Sequence, residues 1–115
     1  MDKLPGPWGW MVQPPNVLVI AEPHVARILQ VNLRKAAGAQ VRVAGDATQA
    51  LALMGEERPT AVVVDTGSSH LDIMETVKLL QTTPVAAGIK VVFVDGRDPQ
   101  SMLDKLFGPH SAGPE

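Results

Sequence analysis

Thr60-Ala61-Val62-Val63-Val64-Asp65-Thr66-Gly67-Ser68-Ser69 passes from an apolar run through a single carboxylate into a loop of small residues. A short apolar run bounded by turn residues reads as a strand of a parallel α/β sheet, here residues 60–64. Asp65 then falls at the carboxyl end of that strand. In open α/β sheets this is the side on which the ligand crevice lies, so Asp65 is placed to reach a metal ion or a phosphoryl donor.

Working outward, strands and helices alternate. Residues 17–20 form an all-apolar run, Pro23 suits a first helical turn, and Val25, Ile28, Leu29 and Leu33 follow at helical spacing. Gly38 is a natural helix stop, after which Val41 and Val43 alternate with polar residues as a second, more exposed strand. Asp46 or Thr48 can cap the next helix, whose stripe is Ala50, Leu51, Leu53 and Met54 and which ends at Arg58-Pro59. Beyond the Asp65 loop, Ile73, Met74, Val77 and Leu80 define a third helix, closed by Thr83-Pro84 and Gly88. Residues 89–94 read as a fourth strand ending at Asp95, and residues 99–107 as a last helix with Met102, Leu103, Leu106 and Phe107 on one side. A fifth strand is not legible. Such alternation requires right-handed crossovers and helices on both faces, so the expected fold class is α/β, a doubly wound parallel sheet of four strands.

Residues 1–15 carry four prolines and two glycines, which forbid a continuous helix, and are expected to form an extended leader. The chain's two tryptophans, Trp8 and Trp10, lie there with Gly9 between them, so an extended backbone points both the same way. They are candidates for contact with the domain's own apolar surface or with a partner. Residues 16–108 are expected to form the domain and 109–115 a flexible tail.

At 115 residues, with 45% apolar and 19% charged side chains, one domain is expected. Net charge is -2 and the 10 Lys and Arg are scattered, without the basic face of a nucleic-acid binder. The absence of cysteine excludes disulfides and thiolate chemistry and fits a reducing compartment. Apolar runs fall far short of the ~18 to 20 residues that span a bilayer, and no signal-peptide pattern opens the chain. The expected location is the cytoplasm, with neither membrane nor nucleic acid as partner.

Three stretches of the segment 17–95 resemble the receiver domain of two-component response regulators. They are the second-strand stretch Gly38-Ala39-Gln40-Val41-Arg42-Val43-Ala44-Gly45-Asp46-Ala47-Thr48-Gln49-Ala50-Leu51, the phosphoacceptor-strand stretch Arg58-Pro59-Thr60-Ala61-Val62-Val63-Val64-Asp65 with Leu71-Asp72 beyond it, and Thr83-Pro84-Val85-Ala86-Ala87-Gly88-Ile89-Lys90-Val91-Val92-Phe93-Val94. The resemblance implies a flavodoxin-like fold with Asp65 as phosphoacceptor. Where the family has two consecutive acids that hold Mg²⁺, this chain has Ala21 and Glu22. Glu22 and Asp65 are thus the candidate metal ligands of a weakened site, since Mg²⁺ demands near-octahedral oxygen coordination.

Other departures are larger. The family's switch Ser or Thr after the fourth strand is matched by Asp95, a further carboxylate that repels an incoming phosphoryl group. Its Lys-Pro pair is absent, as though the fourth helix and fifth strand had been deleted, and Arg97 is read as a solvated loop cation. His24, His70 and His110 are likewise read as solvated.

The resemblance with these departures implies a stand-alone, non-enzymatic pseudo-receiver that acts by protein-protein interaction, with a histidine kinase or a downstream effector as partner. The alternative is a working single-domain response regulator phosphorylated on Asp65 with Mg²⁺. A carboxylate-cluster hydrolase built on Glu22, Asp65 and Asp95 ranks last, because no nucleophile with a paired base accompanies them. Loss of the fifth strand leaves strand 89–94 at a sheet edge, to be covered by residues 8–13 or by a second copy in a homodimer.

Overall fold

The computed structural model describes residues 14–67 and 72–107. Trp8, Trp10, His70, His110 and the expected tail lie outside the described residues. Four strands and four helices alternate: β1 (Asn16–Ile20), α1 (Pro23–Ala37), β2 (Gln40–Ala44), α2 (Ala47–Glu56), β3 (Ala61–Asp65), α3 (Ile73–Thr82), β4 (Lys90–Val94) and α4 (Pro99–Phe107). A short 3₁₀ turn, Pro84–Ala86, links α3 to β4. All strand pairs are parallel, in the order β2-β1-β3-β4. The doubly wound α/β sheet read from the sequence is therefore present, with β4 at an edge.

Central and edge strands differ as their sequences require. β3, Ala-Val-Val-Val-Asp, is buried at every position, and β1 at all but Asn16. β2 buries only Ala44; Gln40 and, against the alternation read from the sequence, Val43 are exposed, with Val41 and Arg42 half-buried. On one face of the sheet Val17, Val19, Val63, Val92 and Val94 pack with Ala26, Leu29 and Leu33 of α1 and Met102 of α4. On the other, Leu18, Ile20, Val62 and Val64 pack with Ala50 and Met54 of α2, Leu80 of α3 and Ala86. Fully burying one such aliphatic side chain contributes about 1.5–3 kcal/mol, so these two layers supply the driving force that orders the sheet.

Local signals set the helix ends. Pro23 opens α1, and Gly38 closes it at φ 61, a left-handed conformation natural only to glycine, with its N–H donating to the Arg34 carbonyl. Asp46, rather than Thr48, caps α2 by accepting from Gln49 N at 2.9 Å. Arg42 of β2 reaches the other end of α2, donating to the Leu53 carbonyl, which also accepts the Glu57 N–H, and to the carbonyl of Glu57 just past the helix.

Two stripes depart from their expected membership. In α1 the buried row is Ala26, Leu29 and Leu33, while Ile28 is 45% exposed. In α3 Met74 is 78% exposed, and the polar Thr76 is buried in its stead. Burial of Thr76 is tolerated because its hydroxyl donates to the Asp72 carbonyl at 2.8 Å, so no polar group is left unsatisfied.

The assignment of α1 faces can be checked by urea denaturation. Leu29→Ala is expected to cost about 2–5 kcal/mol through the cavity it opens, whereas Ile28→Ala is expected to stay within about 0.5 kcal/mol.

Candidate functional site

From β1 the chain moves outward to β2, then returns across β1 to β3. That reversal places α1 and α2 on opposite faces and leaves a crevice at the carboxyl ends of β1 and β3. Into it opens a cleft of about 250 Å³ lined by Glu22, His24, Val25, Asp65, Gly67, Asp95, Gly96 and Arg97. The three acids singled out in the sequence therefore share one cleft.

Asp65 belongs to β3 itself and is 2% exposed. Its Oδ1 accepts the N–H of Gly67 and of Gly96, each at 2.9 Å, which compensates a carboxylate that burial would otherwise make costly. The two donors come from the loops after β3 and β4. Thr66 reinforces the same junction, donating its N–H and its hydroxyl to the Val94 carbonyl at 2.7 and 3.1 Å.

Gly96 is required by space. A Cβ there would overlap Val25 Cγ1 and stand 3.2 Å from Asp65 Cγ and Oδ1. At Gly67 a Cβ would meet Asp65 Oδ1 at 3.4 Å and Asp95 Oδ1 at 3.5 Å, ordinary contacts. Gly67 thus lies between the two carboxylates.

Asp95 is the terminus of a tight turn. Its Oδ1 accepts from Arg97 N at 2.9 Å and from Arg97 Nε at 3.1 Å, and its Oδ2 pairs with the Arg97 guanidinium at 2.8 Å. The side-chain hydrogen bonds from Arg97 hold the Asp95 carboxyl down at about 2, and the backbone bond adds to this. Arg97 is raised in turn, chiefly by Asp95, with a smaller Coulombic contribution from Asp65. Arg97 is thus the solvated loop cation that the sequence reading had it as, its side chain 86% exposed, and it also clamps Asp95. The signal was present: an Asp-Gly pair favours a side-chain-to-backbone turn two residues on.

Glu22 stands at the start of α1 without capping it by its side chain, and His24 Nδ1 lies 3.8 Å from its carboxylate. Ala21, in place of an acid, is buried and donates its N–H to the Ala44 carbonyl. Asp72 caps α3, accepting from Glu75 N at 3.0 Å, and so has a structural duty. The Asp-x-x-Glu spacing would have revealed it.

Two of the three acids already have partners, which leaves Glu22 and Asp65 Oδ2 as the oxygens that would hold a divalent cation. Both oxygens of Asp95 are engaged by Arg97, Asp65 Oδ1 is engaged by two N–H groups, and a guanidinium already stands in the cleft. Among the described residues no three His, Asp or Glu side chains converge in a metal-holding group. No helix among them is long and apolar enough to cross a membrane.

No family model matches the chain, and no curated protein does. Among solved structures it is similar to the N-terminal domain of a response regulator receiver protein from Methanoculleus marisnigri JR1, at 21% identity and a TM-score of 0.61, over 69% of this chain. The match spans 64% of that protein's chain. It is also similar to a protein named as a response regulator from Chloroflexus aurantiacus J-10-fl, at 18% identity and a TM-score of 0.60, over 82% of this chain and 98% of that one. At these identities the likeness is one of fold: the chain has the flavodoxin-like architecture of receiver domains.

Two outcomes test the site geometry. In an NMR carboxyl titration Asp95 is expected to titrate near pH 2, and in Arg97→Gln to move up toward the ordinary 3.8. A depressed folded-state value means that the associated stability is present above pH 3.8 and is lost as the pH falls through about 2. Separately, Gly96→Ala is expected to lower stability to urea by about 1–3 kcal/mol through overpacking against Val25, with Gly67→Ala much milder.

Proposed function

We propose that the chain is a receiver-like signalling module that works by binding another protein, with its phosphotransfer chemistry impaired or lost. One observation carries this reading: the Asp95–Arg97 clamp beside Asp65. In the receiver family, to which the sequence bears resemblance, the position after the fourth strand supplies a hydroxyl that hydrogen-bonds the phosphoryl group. Here it supplies a carboxylate that its arginine keeps ionised down to about pH 2. A phosphoryl group arriving at Asp65 would bring further negative charge against Asp95, and the cation best placed to offset it is already committed to Asp95.

Three parts of phosphoryl transfer are thereby weakened together: metal charge, hydroxyl switch and a dedicated neutralising cation. On this reading Mg²⁺ binding is weak or absent, the chain is not an enzyme, and its output passes to a histidine kinase or a downstream effector in the cytoplasm. Neither a nucleic acid nor a membrane is its partner.

A second reading has one observation in its favour. Asp65 stands at the carboxyl end of β3 with Oδ1 held in place, and Glu22 lines the same cleft. That is the arrangement a working single-domain response regulator, phosphorylated on Asp65 with Mg²⁺, would build on.

Incubation with Mg²⁺ and acetyl phosphate, read by intact-protein mass spectrometry, separates the two. The expected outcome is an unmodified protein, indistinguishable from Asp65→Asn. Addition of one phosphoryl group to the wild type, absent from Asp65→Asn, would replace the first reading by the second.

A further inference from the structure

β4 is an edge strand, and only half of its outer margin is occupied. The two-residue alternation that turns the Val94 carbonyl toward β3, where Thr66 N–H donates to it, turns the peptide groups of Val91 and Phe93 outward. The Phe93 carbonyl is taken by the ammonium of Lys105, which reaches round from α4 and donates at 2.7 Å. Lys90, at the foot of β4, returns the contact by donating to the Leu106 carbonyl at 3.2 Å. Among the described residues nothing pairs with the outward N–H and C=O of Val91.

Beside that lower half runs a groove of about 380 Å³ between α3 and β4. Its apolar walls are Val77 and Leu80 of α3 with Ile89, Val91 and Phe93, and Ala86–Gly88 form its floor at the foot of the strand. Four of those five apolar side chains, all but Leu80, are only half-buried. The groove is where the sheet lacks the helix that would cover β4 on this face.

We infer that this groove seats the chain's own Trp8 and Trp10, with residues 8–10 lying along the lower half of β4. The described chain begins at Pro14, just below β1, and Pro15 accepts from Gln40 N at 2.8 Å. It therefore emerges at the same end of the sheet as the groove floor. From β1 to β4 is two strand spacings, about 10 Å, and the six residues from Pro14 back to Trp8 span up to about 20 Å when extended. The segment reaches. Trp8 and Trp10, two positions apart, present both indoles to one side of an extended backbone, which the side chains of Val91 and Phe93 also face on β4. Each indole brings a large apolar area that favours burial.

The same clasp argues against a second copy as occupant. A two-fold pairing through β4 would have to displace Lys105 from Phe93 on both subunits, whereas a three-residue segment stays below it. The inference does not depend on whether the module signals or whether Asp65 is phosphorylated.

The chain supplies its own probe, since Trp8 and Trp10 are its only tryptophans and it has neither tyrosine nor cysteine. A nitroxide, a contact quencher of indole emission, can be placed uniquely through Gln81→Cys on the groove rim or Gln100→Cys on α4, both exposed positions. In the full chain the Gln81→Cys label is expected to reduce tryptophan emission several-fold and the Gln100→Cys label to leave it nearly unchanged, at every protein concentration. In the unlabelled protein the emission is expected to be blue-shifted relative to the urea-unfolded chain and to shift red in Val77→Glu. Equal quenching by the two labels would overturn the inference. So would quenching by the Gln81→Cys label that vanishes on dilution in step with dimer dissociation by sedimentation, which would assign the groove to a second copy.

Discussion

The structure depends on burying two adjacent strands, β1 and β3, on both faces at once. Neither can be satisfied by a single layer of helices, because Val17 and Val19 of β1 point one way while Leu18 and Ile20 point the other. Each face must therefore be roofed. The chain does this by sending α1 to one side on its way to β2, and α2 and α3 to the other on the way back. Strand order, helix placement and the position of the crevice follow from that need.

The cleft chemistry inherits its precision from the same source. Asp65 is the last residue of the most deeply buried strand, so the sheet fixes its backbone while amides of the two following loops orient its carboxylate. Asp95 lies one residue beyond the partner strand β4, in a turn closed by its own arginine. One acid is held by backbone amides and the other by a guanidinium, and this difference in partners gives two neighbouring carboxylates different environments.

Much of this was legible in residue order. Unbroken apolar runs gave β1 and β3, Pro23 and Gly38 bounded α1, and residues 99–107 emerged as α4 with the expected limits. What was not legible depends on contacts across the sheet or within a turn. A helical stripe counts apolar residues, and so it admitted Met74 and omitted Thr76, whose burial rests on a hydroxyl satisfied inside its own helix. The reach of Lys105 to Phe93 needs the packing of α4 beside β4, which no local pattern encodes. The Arg97 clamp could have been found from the Asp-Gly pair, but its effect on Asp95 follows only from the geometry of both side-chain nitrogens.

A single atom, Asp65 Oδ1, receives one amide from each of two loops that are 29 residues apart in the chain, at Gly67 and Gly96. It acts as a yoke. Neutralising that oxygen would weaken both attachments together, leaving the loops after β3 and β4 joined through the bonds of Thr66 to the Val94 carbonyl. A partner resting across both loops would thus feel the state of a carboxylate it never touches.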